Sequence, residues 1–448
     1  MNRRLKNSVP KKPSMVASKA RGLRETSLPN PLASLFPEGY ELIPQLNETY
    51  ELKLAYWESR ALSRTEAIQR AAYFKAINGE PTHHFLMCTG TPLKVAKSSS
   101  ARLRTFFSAA QFKTGYATHG LFPYRGKFHP QMIRALINIM GVMPGELLLD
   151  PMMGSGTSLI EAAIMGIDSY GVDISPFCAF MTQAKLDGLT LDLSILRRHL
   201  TLIPHLFRQI EQKAHSITHT FLAGEHRAIL TESDKVDRLL ALCFFDALGY
   251  AERVKGKQAV DLFEELLTKY ISVVEKFKDV HDDLEYPLGS GLVAAADARK
   301  LELQDETVGG VIFSPPYSFA IDYLENDSSQ LDLLRVDTEN LRQSMIGLRG
   351  KSKQERVDLY FDDMTQVLSE IHRVLRPGRF CCIVVGSNTN QLEEILGTED
   401  PRLTSIEHRV IECGEKVGLA FVEKIARQIT GIRNVMRDEY ILLLQRPA

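Results

Sequence analysis

The stretch that most limits how this chain can fold runs from Gly145 to Asp173. Gly145-Glu146-Leu147-Leu148-Leu149-Asp150 is an apolar run of strand length closed by a carboxylate. Pro151-Met152-Met153-Gly154-Ser155-Gly156-Thr157 follows as a glycine-bearing turn, and Ser158 to Met165 as a helix of small and apolar residues. After Gly166, Ser169 to Asp173 is a second strand, again ending in a carboxylate. Strand, helix and strand in that order form a β-α-β unit.

The same rhythm returns late in the chain. Leu292 to Ala296 is a third apolar run, closed by Asp297, and Val308 to Phe313 is a fourth. Pro315 and Pro316 end the fourth abruptly because neither can donate to a ladder. Ser314 and Tyr317 are thereby presented at a strand's C-terminal end, where open α/β sheets keep their chemistry. Val357 to Leu375 is an amphipathic helix stopped by Arg376-Pro377-Gly378. Phe380–Val385, Phe421–Ile425 and Tyr440–Leu444 read as further strands, with a helix over Ile406 to Val417. The expected fold class is α/β: a mostly parallel sheet with helices on both faces.

Two regions fall outside this alternation. From Leu191 to Val280 the pattern is almost wholly helical, so a helical insertion separates the second and third strands. The N-terminal part opens with Arg3, Arg4, Lys6, Lys11, Lys12, Lys19, Arg21 and Arg24 before the first acidic residue, Glu25. Such a start reads as a disordered arm, either lying along phosphates or simply solvated. Pro29 to Pro44 reads as an irregular lead-in, and Glu48 to Ile77 as two helices separated at Ser63-Arg64-Thr65-Glu66, a string with the form of a capping box. Lys94 to Arg104 reads as a basic loop. Lys113 to Gln131 is too aromatic to be an idle loop and too rich in glycine for one regular element, and Met132 to Met140 follows as a short helix. The expected organisation is an arm at 1–30, a mainly helical extension at 31–105, a first core part at 106–190, the insertion at 191–285 and a second core part at 286–448.

With 44% hydrophobic and 24% charged residues and a formal net charge of -1, the composition announces no acidic or basic partner. No apolar run approaches the ~20 residues a membrane helix needs, and no secretory signal is present. The expectation is a cytoplasmic protein without a membrane partner. The six cysteines form no CxxC and read as small buried hydrophobes. His83, His84 and Cys88 lack an answering ligand pair, so no metal is expected.

In a doubly wound sheet the tips at Asp150, Asp173 and Asp297 crowd one crevice, suited to a ligand with amine or hydroxyl donors. Gly154 and Gly156 allow close backbone approach and offer the donors of a helix N-terminus. Gly154-Ser155-Gly156-Thr157-Ser158-Leu159 lacks the third glycine of a dinucleotide fingerprint. S-adenosyl-L-methionine, which carries a carboxylate, an amine and a ribose, suits the arrangement better.

Asp150 to Thr157 resembles the cofactor motif of the S-adenosylmethionine-dependent amino-methyltransferases, and Ser314-Pro315-Pro316-Tyr317 resembles their catalytic motif in its N4-cytosine DNA methyltransferase form. Tyr116 to Gln131 is similar to the segment those enzymes place before the first strand. The resemblance covers roughly Phe106 to Leu186 and Val293 to the C-terminus, and implies a class I, Rossmann-like methyltransferase. It implies that Asp150, Pro151, Met152, Gly154, Gly156 and Thr157 form the cofactor loop, with Gly154 and Gly156 at the methionine moiety and Thr157 near its carboxylate. Asp173 and Ile174 would lie at the ribose and Asp297 and Ala298 at the adenine, with Lys127, Phe128 and His129 bordering the pocket.

The catalytic motif has a physical rationale of its own. An exocyclic amine is a poor nucleophile because its lone pair is delocalised into the ring. Acceptors aimed at its hydrogens, the Ser314 hydroxyl and the Pro315 carbonyl, favour a pyramidal nitrogen able to attack in line. Tyr317 offers a face on which a base rotated out of the duplex can stack, and Pro316 stiffens the turn. Serine at the first position favours cytosine N4 over adenine N6. An RNA guanine-N2 enzyme of the same fold and a catalytically silent nucleic-acid-binding scaffold are the rival readings. Asp322 to Lys353, with Arg335, Arg342, Arg349, Lys351 and Lys353, and the helical insertion are the candidate surfaces for reading DNA. The resemblance further implies duplex DNA as substrate and a restriction endonuclease as companion.

Overall fold

The computed structural model describes residues 33–198, 203–222, 231–316, 323–387, 389–428 and 438–448, apart from 45, 47, 91, 93, 112 and 113. The basic arm and Tyr317 lie outside the described residues. Of residues 1–37, those described contribute one 3-10 turn, Ala33–Leu35.

Residues 38–448 form a single unit whose first part is mixed rather than mainly helical. The two expected helices are Thr49–Ala61 and Arg64–Arg70. The capping box between them is present: Glu66 N donates to Ser63 Oγ at 3.3 Å and Ser63 N to Glu66 Oε2 at 2.8 Å. Residues 71–82 after them are not helix. Three short strands, β1 (Tyr40–Leu42), β2 (Phe74–Ile77) and β3 (Glu80–Pro81), form an antiparallel sheet in the order β1-β2-β3. The β2–β3 turn is Asn78-Gly79, with φ of 52° and 83°, the backbone that favours Asn-Gly in two-residue hairpins. The basic stretch 94–104 is likewise only partly loop, since Ala101–Ser108 is helical, capped by Ser100.

This extension is anchored to the core by buried polar contacts. Glu58 accepts from Ala72 N at 2.8 Å, Tyr73 N at 3.2 Å and Asn138 Nδ2 at 2.7 Å. Burial pushes its carboxyl up to about 7 against the pull of those hydrogen bonds.

The main sheet has seven strands: β4 (Leu147–Asp150), β5 (Asp168–Asp173), β6 (Gly291–Ala295), β7 (Gly310–Phe313), β8 (Phe380–Gly386), β9 (Ala420–Gln428) and β10 (Asp438–Gln445). Their order is β6-β5-β4-β7-β8-β10-β9. The strands β4 to β8 pair in parallel and β10 runs antiparallel between β8 and β9. In the inner strands β4, β7 and β8 side chains alternate between two buried faces, which is why they read as unbroken apolar runs. Leu149, Val172, Val311, Phe313 and Ile383 pack under the helices Lys353–Val374 and Ile406–Lys416. The expected α/β class with helices on both faces is observed.

Among the described residues four helices occupy the insertion: Leu193–Arg198, Ile203–Leu222, Glu232–Ala251 and Ala259–Leu284. Their apolar faces share one core with the helix Pro176–Thr190. The Arg238–Asp187 ion pair, 2.6 Å and nearly inaccessible, fastens the two together. Among the described residues no helix is long and apolar enough to cross a membrane.

Candidate active site

The order of the strands puts the ends of β4, β5, β6 and β7 side by side. One cleft opens there, lined by Pro151, Met152, Gly154 and Thr157 of the first turn, Asp173 and Ile174 after β5, Asp297 and Ala298 after β6, and Ser314 and Pro316 after β7. Lys127 and Phe128 close it from the segment before the core. Most of the sequence-predicted site residues are therefore brought to one place.

The exceptions have physical reasons. Asp150 is fully buried and does not line the cleft. It accepts from Met152 N at 3.0 Å and from Ser158 Oγ, so it braces the turn from beneath. Burial raises its carboxyl to about 7. Gly156, at φ +74°, is also away from the cleft. A Cβ there would lie 2.4 Å from Thr182 Cγ2, so its missing side chain serves packing against the helix Pro176–Thr190 and not approach to a ligand. His129 precedes the helix Pro130–Ile139 and faces a different cavity, beside His84 and Gln111. Pro315 is buried behind the strand tip.

Gly154, at φ +48°, is the glycine at the cleft, and a Cβ there would meet only Tyr124, at 3.5 Å. Its N–H donates to Asp173 Oδ2 at 2.9 Å, while Ser175 N donates to Asp173 Oδ1 at 2.9 Å. Burial raises the Asp173 carboxyl to about 6, with both backbone bonds opposing the rise. Two acceptor oxygens are thus aimed by the backbone at the level of the first turn, as a vicinal diol requires.

Asp297 is held differently. Arg299 donates to both its oxygens, through Nε at 2.9 Å and Nη2 at 2.6 Å. Arg299 also reaches Asp363 Oδ1 at 2.8 Å and Ser344 O at 2.9 Å. Asp363, fully buried, takes a second guanidinium from Arg349. This ladder fixes the turn after Ser344, so that Met345 and Ile346 form an apolar wall of the cleft near Ala298. Arg349, a candidate for contact with DNA, is instead committed to a buried carboxylate that needs its charge. Lys353 pairs with Glu394 at 3.4 Å.

Sequence reasoning missed Tyr124, Ser175, Cys178, Asp327, Met345 and Ile346. Tyr124 stands in the aromatic segment already singled out, and its hydroxyl meets Cys178 Sγ at 3.3 Å. The others depend on long-range placement. Behind the cleft, Glu161 on the helix Thr157–Ile164 accepts from His119 Nε2 at 2.6 Å and Arg134 Nε at 2.7 Å and from the Tyr116 hydroxyl at 2.5 Å. It ties the segment before the core to the helix that follows the first turn. Among the described residues no group of three or more His, Cys, Asp or Glu is placed to hold a metal.

The parallel sheet, its one antiparallel strand and the crevice at its strand tips define a class I, Rossmann-like fold. Parts of the chain are similar to known methyltransferases. The RMKL-like methyltransferase domain of UPF0020 matches residues 121–234. The chain is 27% identical over 171 residues to the type II methyltransferase M.MjaII of Methanocaldococcus jannaschii, covering 37% of this chain and 31% of that one. It is 22% identical over 336 residues to the type II methyltransferase M.BsoBI of Geobacillus stearothermophilus, covering 59% and 66%. A tRNA (guanine(10)-N2)-dimethyltransferase of Methanothermobacter thermautotrophicus is 43% identical over 78 residues, covering 17% and 23%. The chain thus spans from under a quarter to about two thirds of the length of these relatives. Among solved structures, an S-adenosylmethionine-dependent methyltransferase from Methanosarcina mazei aligns with a TM-score of 0.32 at 10% identity, over 69% of this chain and 96% of that one.

Over these segments the chain is similar to S-adenosylmethionine-dependent methyltransferases, whose cofactor is S-adenosyl-L-methionine. The cleft's residues suit that group: a side-chain-free approach at Gly154, paired acceptors at Asp173 and an apolar slot beside Ala298 and Ile346.

Proposed function

We propose that this protein transfers a methyl group from S-adenosyl-L-methionine to the exocyclic N4 amine of cytosine in duplex DNA, with the target base rotated out of the helix. The observation that carries the reading is the arrival of Ser314 and Pro316 in the same cleft as Gly154, Asp173 and Asp297. Bound there, the cofactor supplies an electrophilic methyl on a sulfonium. Gly154 and Thr157 would border its methionine end, Asp173 would accept from the ribose hydroxyls, and Ala298, Met345 and Ile346 would flank the adenine.

The Ser314 hydroxyl would accept from the amine, drawing its lone pair out of conjugation and toward the methyl; the Pro315 carbonyl, whose residue is buried and does not line the cleft, carries over from the motif as the second acceptor. The N–C bond forms as the S–C bond breaks, and the amine's surplus proton passes to water. Tyr317, outside the described residues, carries over as the stacking surface for the base. A restriction endonuclease as companion, and action in the cytoplasm of a bacterial or archaeal cell, belong to the same reading.

A guanine-N2 activity on RNA is the second reading, and the tRNA-modifying relative favours it. Serine rather than aspartate or asparagine at 314 favours the first. Both are tested by incubating the protein with methyl-labelled cofactor and either DNA or RNA, digesting, and identifying the labelled nucleoside by mass spectrometry. N4-methylcytosine is expected from DNA. Label confined to RNA or to N6-methyladenine overturns the proposal. Ser314→Ala is expected to abolish transfer while cofactor affinity stays within about tenfold, ~1.4 kcal/mol.

A further inference from the structure

Beside the cofactor cleft lies a second, strongly polar one, lined by Phe122, Pro123, Arg125, Glu252 and Arg253 among others. Among the described residues the two share only Tyr124 and Asp327 in their walls. Asp327 begins the helix Ser328–Leu333, yet its side chain makes no cap bond to that helix. The residue is 8% exposed, and no donor among the described residues reaches its carboxyl group.

The neighbouring acids are already engaged. Asp246 takes both nitrogens of the Arg102 fork, at 2.7 and 3.0 Å, and Glu252 accepts from Ser329 Oγ at 2.8 Å. Asp173 holds Gly154 N and Ser175 N. Among the described residues Asp327 stands apart from these three as a largely buried acid whose carboxyl takes no protein donor. Its side chain opens onto both clefts, so the bonds the described residues do not supply are left to whatever occupies them. A ligand is the natural source of the missing bond.

We infer that Asp327 reads the ring nitrogen next to the reacting amine of a nucleobase seated where the two clefts meet. This inference rests on the proposed methyl transfer to a base amine and names the group that would select the base. Cytosine N3 and adenine N1 are acceptors, so they call for a neutral carboxyl that donates; guanine N1–H is a donor and calls for a carboxylate. Burial, with the Asp173 charge nearby, pushes the Asp327 carboxyl up to about 7. The neutral acid is therefore populated near neutrality, and the site matches cytosine or adenine better than guanine.

Two substitutions test this. Asp327→Asn keeps the shape and supplies an N–H donor; Asp327→Ala removes it. Methyl transfer to DNA is measured together with cofactor affinity by calorimetry, and folding of each variant by circular dichroism. Asp327→Ala is expected to lower kcat/KM for DNA about 10- to 100-fold, with cofactor affinity within about threefold, while Asp327→Asn stays within about threefold of the parent. Equal loss in both variants, an unchanged Asp327→Ala, or cofactor affinity weakened more than about tenfold would each overturn the inference and leave the proposed reaction standing. A parent protein that methylates no nucleic acid overturns the proposed reaction, and this inference with it.

Discussion

Glu161 offers the sharpest energetic test of how the site is held. Its carboxylate and Arg134 are wholly inaccessible and His119 nearly so, with side-chain exposures of 0%, 0% and 2%. Burial alone would raise the Glu161 carboxyl; the Arg134 guanidinium and the His119 N–H reverse this and lower it from 4.5 to about 2. At ~1.4 kcal/mol for each tenfold change in proton affinity, that difference corresponds to ~3 kcal/mol. Because the folded value lies below the unfolded one, the stabilisation is fully present above about pH 4.5 and is lost as the pH falls toward 2. Glu161→Gln keeps acceptors for His119 and Tyr116 but leaves Arg134 buried without a counter-charge, for a loss of ~3 kcal/mol. Urea unfolding at pH 7, followed through the fluorescence of the single tryptophan, Trp57, measures the loss. The acid limb of stability between pH 4.5 and 2 should also flatten in the variant. A loss below ~1 kcal/mol, or an acid limb like that of the parent, would refute the assignment of a stabilising ionised carboxylate.

Three further expectations follow from the same geometry. Asp173 must be ionised to accept from two hydroxyls, so cofactor affinity in calorimetry should fall as the pH drops below about 6, by about tenfold per pH unit, and Asp173→Asn should remove that dependence. Gly156→Ala should cost ~1–3 kcal/mol of stability, partly recovered by Thr182→Ser, which removes the overlapping methyl and keeps the hydroxyl that bonds Gly154 O. Arg349→Ala should lower stability by ~1–2 kcal/mol yet leave the salt dependence of DNA binding unchanged; a slope shallower by about one would return Arg349 to the DNA.

The parts of the fold legible in sequence are those fixed by local chemistry. Four apolar runs of strand length, three closed by Asp150, Asp173 and Asp297 and the fourth cut by two prolines, announce the parallel sheet and its crevice. The capping box at Ser63 and Glu66 announces a helix start in the same way. The small β1-β2-β3 sheet was obscured because its strands span only two to four residues and Ala71-Ala72-Tyr73-Phe74 continues a helical spacing; Asn78-Gly79 was the available signal. Gly156 carries a motif position, but the reason for glycine there is Thr182, a residue on the next helix. Asp327 and Arg349 were beyond reach for a related reason. Nothing in their neighbourhood in sequence says that one carboxyl is left without a partner and that the other residue's guanidinium is claimed by Asp363.

The helical insertion also bears on the order in which the molecule is assembled. Asp173 and Ala295 are paired neighbours in the sheet, although the helices from Pro176 to Leu284 lie between them in the chain. Closing so long a loop adds little to the equilibrium cost, ~0.6 kcal/mol for each doubling of its length, but it raises the kinetic barrier to forming that pair. The helices share one core with the helix Pro176–Thr190, so in the folded chain their packing spans the gap in sequence between β5 and β6. During synthesis the first turn and Asp173 emerge well ahead of Asp297 and Ser314. The nascent chain therefore presents half a cradle, and the cleft's wall is complete only once the chain has been made as far as Ile346.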